Sequence, residues 1–310
     1  MKISFSEISQ RQFFSKEDTS GTSSSVEQGE RGRQVKVEVT LLDQERRDNG
    51  LPTESTPNTR KDSLRVLSLN IAHGRGERAH QLFLGEATIR HNLLEIAELL
   101  RRENIDLAGL QECDISSFWN GQFNHLEYIQ KELSPSLPFG ACAAHMKAPR
   151  LSYGTSIISC LPLREVEGFR FAERLPLPRK GFIAARLSWP DNSAFQFLFC
   201  SVHLDFLRLE QRMQQVKQLS MFLKEHNLPI IVVGDFNCGW NDSNSALRQL
   251  ARECELHTYK PELETSTFRF RAVRWDWVMA SEHFAITQHS VLSDRLSDHK
   301  PVVVEIIRRQ

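Results

Sequence analysis

The chain has 310 residues, enough for one large domain or two ordinary ones, and its 40% hydrophobic and 25% charged residues are typical of a soluble globular protein. Its 39 basic and 39 acidic residues give a formal net charge of zero. This balance excludes a global basic field that would gather nucleic acid, so a polyanion would have to be held by a local patch.

The cysteine pattern and the hydropathy indicate a cytoplasmic protein. The six cysteines are scattered and form no C-x-x-C pair, which argues against a zinc cage and against a disulfide scaffold. No apolar run approaches the roughly 18 residues that a membrane span needs. The N-terminal sequence lacks the apolar core of an export signal, and we therefore expect reduced cysteines and a cytoplasmic location.

Residues 1–62 differ in composition from the rest of the chain. They are polar, charged and rich in turn-forming residues, and such a segment buries too little to offset its ordering entropy, so we predict a disordered tail. An exception is VKVEVTLL, residues 35–42, in which apolar residues alternate with others as in a half-buried strand. The sequence leaves open whether this strand stands alone or pairs with a sheet edge.

Residues 63–310 are predicted to form one globular domain in which strands and helices follow one another. Apolar residues at helical spacing predict helices in TIRHNLLEIAELLRREN, RLEQRMQQVKQLSMFLKEH and SNSALRQLARECE. Strands are predicted, in chain order, at LRVLSLNIA, IDLAGLQE, YGTSIISCLPL, GFIAARLSW, AFQFLFCSVHLD, LPIIVVGDFN, RWDWVMAS and SDHKPVVVEII. Several of these strands are apolar on both faces, which predicts packed sheets with helices outside.

Polar side chains recur at or near the ends of these strands. They are Asn70, Glu112, His203, Asp235, Asn237, Asp276, Asp298 and His299. Taken singly, a strand-end Asn or Glu usually caps a strand or is solvated, a lone His is more often structural, and GDFN is typical of an Asx turn. Their recurrence beside strongly apolar strands, with the chemistry that phosphoester hydrolysis needs, favours a shared site.

The alternation of side chains along a strand predicts which of these groups share a face. Asp235 and Asn237 are expected on one face, where one can address a water and the other a phosphoryl oxygen. Asp276 is expected to face away from the tryptophans on either side of it, which would pack beneath the site. Gly234 is expected to leave room where a metal and a phosphate approach.

Six ordered motifs, LSLN, LQE, SVHLD, GDFN, RWDWV and SDHKP, resemble those of the endonuclease/exonuclease/phosphatase superfamily, which has the deoxyribonuclease I-like fold. The resemblance extends from Leu64 to Ile307, and the KGF segment at residues 180–182 is similar to that of uncharacterised bacterial members. It implies an α/β four-layer sandwich of two packed mixed β-sheets flanked by helices. It also implies a divalent metal and the hydrolysis of phosphodiesters or phosphomonoesters.

The resemblance implies a metal site built from oxygen ligands. Glu112 is the first ligand that it implies, with Asn70 beside it and Asp298 as a second carboxylate. Mg²⁺ prefers oxygen ligands and keeps several waters, so this set suits Mg²⁺, with Mn²⁺ as an alternative. Such an ion would act as a Lewis acid on a phosphoryl oxygen or on the leaving oxygen.

The resemblance also implies roles for the remaining groups. Asp235 would orient or deprotonate the attacking water, and Asn237 would hold a phosphoryl oxygen. His299 and His203 would donate to the phosphate as charge develops, and Asp276 would lie behind His299 and fix its tautomer. The segment IAHGRGERAH, which follows LSLN, places His73 and Arg75 near the metal site, either as phosphate contacts or as ordinary loop residues.

The sequence does not decide the substrate. Aromatic residues beside the motifs, such as Phe118, Trp119, Phe206 and Trp240, suit stacked bases or a greasy leaving group, and equally suit the anchoring of loops. Three functions stay open: a nuclease-type phosphodiesterase, a phosphohydrolase for a lipid or small-molecule phosphoester, and an interaction module without catalysis. The complete acid, amide and histidine set weighs against the third, and nucleic acid is one candidate partner.

Overall fold

The structure is a computed structural model that describes residues 34–43, 62–81, 84–172, 179–263 and 265–309. Over these residues the chain forms fourteen strands and four α-helices. The helices are α1 (Glu86–Arg102), α2 (His125–Leu133), α3 (Leu209–Glu225) and α4 (Ala246–Glu253). The strands are β1 (Val35–Lys36), β2 (Val39–Asp43), β3 (Ser63–Asn70), β4 (Leu107–Ser117), β5 (Phe139–Ala148), β6 (Leu151–Ser159), β7 (Arg164–Arg170), β8 (Gly181–Trp189), β9 (Asn192–His203), β10 (Ile230–Asp235), β11 (Leu256–Thr258), β12 (Asp276–Ser281), β13 (Phe284–Val291) and β14 (Val302–Arg308).

The strands form two seven-stranded mixed sheets. The first sheet has the order β1-β7-β8-β9-β10-β12-β11 and the second has the order β13-β14-β3-β4-β6-β5-β2. The pairs β9–β10 and β3–β4 are parallel, and the other pairs are antiparallel. The predicted four-layer α/β sandwich is confirmed.

The core fills three spaces between the four layers. Residues from the inner faces of both sheets join α1 and α2 in one apolar cluster, and the outer face of the first sheet forms a second cluster with α3 and α4. The sheets approach closely at Gly109 of β4, where a Cβ atom would lie 2.4 Å from a methyl group of Val233 in β10. The end of β3 in the second sheet also contacts the end of β10 in the first, where Asn70 donates a hydrogen bond to Asp235.

The three predicted helices are confirmed as α1, α3 and α4. The sequence analysis missed α2, a nine-residue helix that begins after Asn124, whose side chain accepts a hydrogen bond from the backbone of Glu127. Strands β5, β7, β11 and β13 were also not predicted, and of these β7 and β13 are only partly buried and lack a continuous apolar pattern. Among the described helices, none has the length and apolar composition needed to cross a membrane.

Residues 35–43 form β1 and β2 and include the segment that was excepted from the predicted disordered tail. β1 pairs with β7 at one edge of the first sheet, and β2 pairs with β5 at one edge of the second. Leu42 of β2 is buried in the core. The strand expected at VKVEVTLL therefore pairs with an edge of each sheet, while the rest of the predicted tail, residues 1–33 and 44–61, lies outside the described residues.

Strand register aligns the polar groups along the shared edge. In the first sheet, Asp235 pairs with His203 on the neighbouring parallel strand and with Asp276 on the antiparallel strand. In the second sheet, Asn70 at the end of β3 pairs with Gln111, directly before Glu112. Because direct cross-strand partners point to the same face of a sheet, the register brings Asp235, His203 and Asp276 together on one face of the first sheet.

Gly234 marks a close approach of two strands, which corrects the expectation that it leaves room for a metal. Its φ is 156°, and a Cβ atom would lie 2.0 Å from the carbonyl oxygen of Val202 on β9.

We expect Gly234→Ala to lower the free energy of unfolding by more than about 2 kcal/mol, because the added methyl group overpacks a buried backbone contact. Denaturant unfolding measures this, and Gly85→Ala is the control, since a Cβ atom there meets nothing within 4 Å. Equal unfolding midpoints for the two variants would contradict the assignment.

Candidate active site

Asp235 contacts polar side chains from both sheets. Its Oδ2 atom lies 3.3 Å from Nε2 of His203 and 3.7 Å from Nε2 of His299. Asn70, from the second sheet, donates its amide to the same oxygen at 3.1 Å. Burial opposes the ionisation of Asp235, but His299, His203 and Asn70 outweigh burial and lower its pKa to about 2.

His299 lies between two carboxylates. Its Nδ1 atom is 2.9 Å from Oδ2 of Asp276, so Asp276 lies behind the ring as the resemblance implies. Burial disfavours the charged imidazolium, but Asp276, Asp235 and Asp298 outweigh it and raise the pKa of His299 to about 10. Burial also raises the pKa of Asp276, against the opposing effect of His299. His299 is therefore a cation at neutral pH, with Nε2 directed at Asp235.

Glu112 is held in an unusual backbone conformation. It has a φ of 53° and is the extra residue of a β-bulge between β4 and β6. A bulge re-aims a side chain, and here the carboxylate meets Lys180 at 3.5 Å and His73 and Arg75 at 3.6 Å each. Burial opposes ionisation, but Lys180, His73, His203 and Arg75 together hold the pKa of Glu112 well below its usual range.

A buried carboxylate that the sequence analysis missed lies behind His73. Asp114 accepts a hydrogen bond from Nδ1 of His73 at 2.8 Å and one from Nε1 of Trp119 at 2.5 Å. Asp114–His73–Glu112 thus repeats on the second sheet the arrangement in which a buried aspartate holds an imidazole against a site carboxylate. Glu112 and Asp114 are two residues apart in the sequence QECD, and this spacing could have indicated that both carboxylates belong to the site.

Arg75 joins two carboxylates that the sequence analysis treated as metal ligands. Its Nη2 atom lies 2.5 Å from Oδ2 of Asp298, and its Nη1 atom lies 3.6 Å from Glu112. Ser297 fixes this loop by donating its hydroxyl to the carbonyl of Asn70 at 2.7 Å. Glu112 and Asp298 therefore both contact the guanidinium of Arg75.

Asn237 is placed differently from the expectation. β10 ends at Asp235, and Asn237 has a φ of 50°, so the strand alternation that predicted a shared face does not reach it. Its backbone N–H donates to Asp235 Oδ1 at 3.0 Å, and its side-chain amide donates to the carbonyl of Leu204 at 3.0 Å. The amide group of Asn237 supports the loop around Asp235 in this arrangement.

Lys180, the first residue of the KGF segment, lies in the site. It is buried, and Nζ lies 2.9 Å from Nε2 of His203. Burial and the Lys180 ammonium lower the pKa of His203, although Asp235 opposes the shift. His203 is therefore neutral at neutral pH, and His299 supplies the positive charge beside Asp235.

Two of the four aromatic candidates, and two arginines of the segment FRFRAVRW at residues 268–275, have structural partners. Trp119 is buried against Asp114, and Trp240 packs on Trp277 with 6.2 Å between ring centroids. In the FRFRAVRW run, Arg269 pairs with Glu77 and Arg274 is buried against backbone carbonyls. Phe118 and Phe206 remain exposed at the rim of the site.

Two groups of described side chains have the donor atoms for a divalent cation. Asp235, Asp276 and His299 each offer one ligand atom, and these atoms all lie within 4.8 Å of one another. Glu112 and Asp298 form the other group, with oxygen donors only. An ion bound by both Asp276 and Nδ1 of His299 would have to break the hydrogen bond between them, which favours the second group.

Comparison with known proteins gives one family. The sequence profile of the Endonuclease/Exonuclease/phosphatase family matches residues 67–299. The human Nocturnin catalytic domain is 19% identical with a TM-score of 0.63, covering 87% of this chain and 97% of that one. A mannosyl-6-phosphatase from Bacteroides thetaiotaomicron is 20% identical with a TM-score of 0.61, covering 79% and 99%. These structural likenesses show the fold, and no curated protein matched the sequence.

We expect Asp276→Asn to lower the pKa of His299 from about 10 by at least about one unit, because the amide removes the charge 2.9 Å from Nδ1. Protonated His299 stabilises the fold below its unfolded value of 6.5, and this contribution is lost as pH rises through about 10. In the variant the loss should occur at lower pH.

NMR titration of the imidazole in metal-free protein measures the shift. Asp191→Asn is the control, because Asp191 is exposed in the turn before β9, at the opposite end of that strand from His203. An unchanged His299 titration in Asp276→Asn would show that Asp276 does not set its protonation.

Proposed function

Because the chain belongs to the endonuclease/exonuclease/phosphatase family, we propose that it is a divalent-metal-dependent hydrolase of phosphoester bonds, and first of all a nuclease-type phosphodiesterase. The family covers phosphoester hydrolysis by nucleases and phosphatases. One observation carries the proposal for this chain: a cationic His299, held by Asp276, lies 3.7 Å from an ionised Asp235. His299 can donate a hydrogen bond to a phosphate, and Asp235 can accept a proton from a water molecule.

In this mechanism the chain's own groups divide the work of hydrolysis. Asp235, ionised at neutral pH, orients the attacking water and accepts its proton. His299 donates from Nε2 to a phosphoryl oxygen as negative charge develops there. Neutral His203 and the side chain of Asn70 hold the Asp235 carboxylate in place, and Asn237 fixes the loop that follows it.

The residues present fit a divalent metal at Glu112, Asp298 and Asn70. The carboxylates of Glu112 and Asp298 both contact the guanidinium of Arg75, and a pair of carboxylates that binds this cation suits a metal cation as well. Their donor atoms are all oxygens, which Mg²⁺ and Mn²⁺ prefer. When bound, the ion would polarise a phosphoryl oxygen or the leaving oxygen.

We expect Glu112→Gln to weaken Mn²⁺ binding at least about ten-fold, because it removes the ionised carboxylate of the proposed site. Electron paramagnetic resonance of Mn²⁺ measures this without turnover. Glu98→Gln, on the exposed face of α1, is the control. Loss of Mn²⁺ binding in Asp276→Asn, with normal binding in Glu112→Gln, would instead place the ion at Asp235, Asp276 and His299.

The second candidate is a phosphohydrolase for a small-molecule or lipid phosphoester. This candidate is favoured because few basic side chains are available to bind a substrate at the site. Arg269 pairs with Glu77, and Arg274 donates to a backbone carbonyl. The exposed rings of Phe118 and Phe206 suit a base or an apolar leaving group equally. A cytoplasmic location stays part of the proposal, and six free cysteines, five of them buried, support a reducing compartment.

A substrate panel separates these candidates. Plasmid DNA, RNA, abasic duplex, phospholipids and phosphoinositides are assayed with Mg²⁺ and with chelator, and we expect cleavage only with the metal. We expect the logarithm of the DNA-binding constant to fall linearly with the logarithm of the salt concentration. The slope should correspond to about two or three neutralised phosphates, because few cations face the site. If nothing in the panel is cleaved, the interaction module becomes the better description.

A further inference from the structure

We propose that the rim of the candidate active site binds the surface of an anionic membrane. The rim is formed by exposed apolar side chains that border the site, with arginines beside them. Its apolar members are Phe118, Phe206, Leu207 and Phe270. They include all three of the phenylalanines that are exposed among the described residues. Binding to a surface is independent of turnover, so the inference goes beyond the proposed function.

Phe118 and Phe206 border one side of the site. The ring of Phe118 lies 4.8 Å from the ring of Trp119, which in turn lies 5.5 Å from the ring of His73. The ammonium of Lys180 lies 5.9 Å from the centre of the Phe206 ring. Because His73 and Lys180 contact the same site carboxylate, the two exposed rings lie near the same part of the centre.

Phe270 borders the site beside His299. Its ring lies 5.7 Å from the ring of Phe268, which lies 5.1 Å from the ring of His299. A backbone bridge between Phe268 and His299 holds this loop against the site. Phe270 is 66% exposed, the largest exposed fraction among the large apolar side chains that the structure describes. The most exposed of these side chains thus lies next to the proton donor of the site.

An exposed arginine lies beside each part of the rim. The backbone N–H of Phe118 donates to the carbonyl of Arg150 at 2.8 Å. Arg208 and Arg271 each directly follow an apolar member of the rim in the sequence. All three arginines are exposed, and none of them forms an ion pair with a described residue. The rim therefore combines each apolar projection with an uncompensated positive charge.

Acidic side chains are missing from the segments that carry the rim. These segments are residues 117–124, 146–151, 206–209 and 266–275. Asp205 and Asp276, which adjoin two of the segments, are buried, while Glu210 is exposed in the first turn of α3. Since the whole chain has equal numbers of acidic and basic residues, the rim is a local basic surface on a chain without net charge.

This combination fits the interface of an anionic bilayer. Anionic headgroups attract arginines near the surface, and aromatic side chains lie favourably at the boundary between headgroups and acyl chains. A nucleic acid would also attract the arginines, and its bases would stack on the rings. Stacking does not account for Leu207, which has no aromatic face and is 44% exposed. A membrane accepts all four apolar side chains.

Membrane binding through the rim would bring the candidate centre to the headgroups. The substrate of the proposed hydrolase would then be a lipid phosphoester, a consequence that rests on the proposed function. Binding and hydrolysis are separable, because binding is measured without metal. A protein that binds vesicles and hydrolyses no phosphoester contradicts the proposed function alone.

Vesicle binding by the full-length protein tests the inference. The protein is kept free of metal with a chelator and is sedimented with vesicles of two compositions. One is phosphatidylcholine alone, and the other has equal parts of phosphatidylcholine and phosphatidylserine. The substituted side chains are all exposed, and unchanged unfolding midpoints show that each variant is folded.

For the wild type, we expect binding to the vesicles with phosphatidylserine to be at least about ten-fold tighter than binding to phosphatidylcholine alone. The triple variant Arg150→Gln/Arg208→Gln/Arg271→Gln should lose on the order of a hundred-fold in affinity for the anionic vesicles. Each basic residue near an anionic surface contributes roughly five-fold.

Matched controls separate the rim from the rest of the surface. Lys217→Gln/Lys224→Gln/Arg252→Gln removes three exposed positive charges from α3 and α4 and should bind as the wild type does. Phe270→Ser should weaken vesicle binding about ten-fold, because it removes an inserted apolar side chain. Met221→Ser, which replaces a 57% exposed side chain on α3, should leave binding unchanged.

Four results overturn the inference. A wild type that binds neither kind of vesicle has no membrane-binding rim. An equal loss of binding in the two triple variants means that total charge, and not the rim, attracts the protein. Equal binding by Phe270→Ser and the wild type means that the apolar side chains do not enter the membrane. A wild type that ignores vesicles but binds a short oligothymidylate through the three arginines has a rim that fits a nucleic acid.

Discussion

The buried charge of Asp235 is the constraint on which the site depends. A buried carboxylate costs several kcal/mol unless partners compensate it, and no single strand supplies all of them. His203 comes from the neighbouring strand of the first sheet, Asn70 from the second sheet, and His299 from the loop before β14. These polar contacts therefore constrain the relative position of the two sheets in addition to their apolar contacts. The carboxylate of Asp235, which they stabilise, is the group that the proposed chemistry uses.

Two carboxylate–histidine pairs face each other across the centre, with different electrostatics. On one side, Asp276 and Asp235 surround His299, so acid is in excess and the imidazole is charged. On the other side, Glu112 is surrounded by basic groups, so cation is in excess. The two sides of the centre therefore differ in charge, with excess acid around His299 and excess base around Glu112.

The sequence predicted the part of the fold that follows from periodicity. Most strongly apolar strands and three of the four described α-helices were placed correctly, but the buried strand β5 and the helix α2 were not. Most candidate site residues lie at or near a strand end, whereas Glu112 lies in the middle of β4. The bulges at Glu112 and His145 were not predictable, because an extra residue in a strand leaves the hydrophobic pattern nearly unchanged and appears only in the register. Asn237 was misplaced for a related reason, since a left-handed residue ends the alternation on which its assignment relied.

The N-terminal strands have a consequence for the rest of the molecule. β1 and β2 are separated by two residues, yet each covers the edge of a different sheet. An uncovered edge exposes a row of unpaired backbone groups that recruits other chains. A variant that begins at residue 63, the domain boundary predicted from composition, would expose both sheet edges. Such a variant would be prone to self-association. β2 pairs with β5 and β1 pairs with β7, each about a hundred residues or more later in the chain, so these edges are covered late in folding.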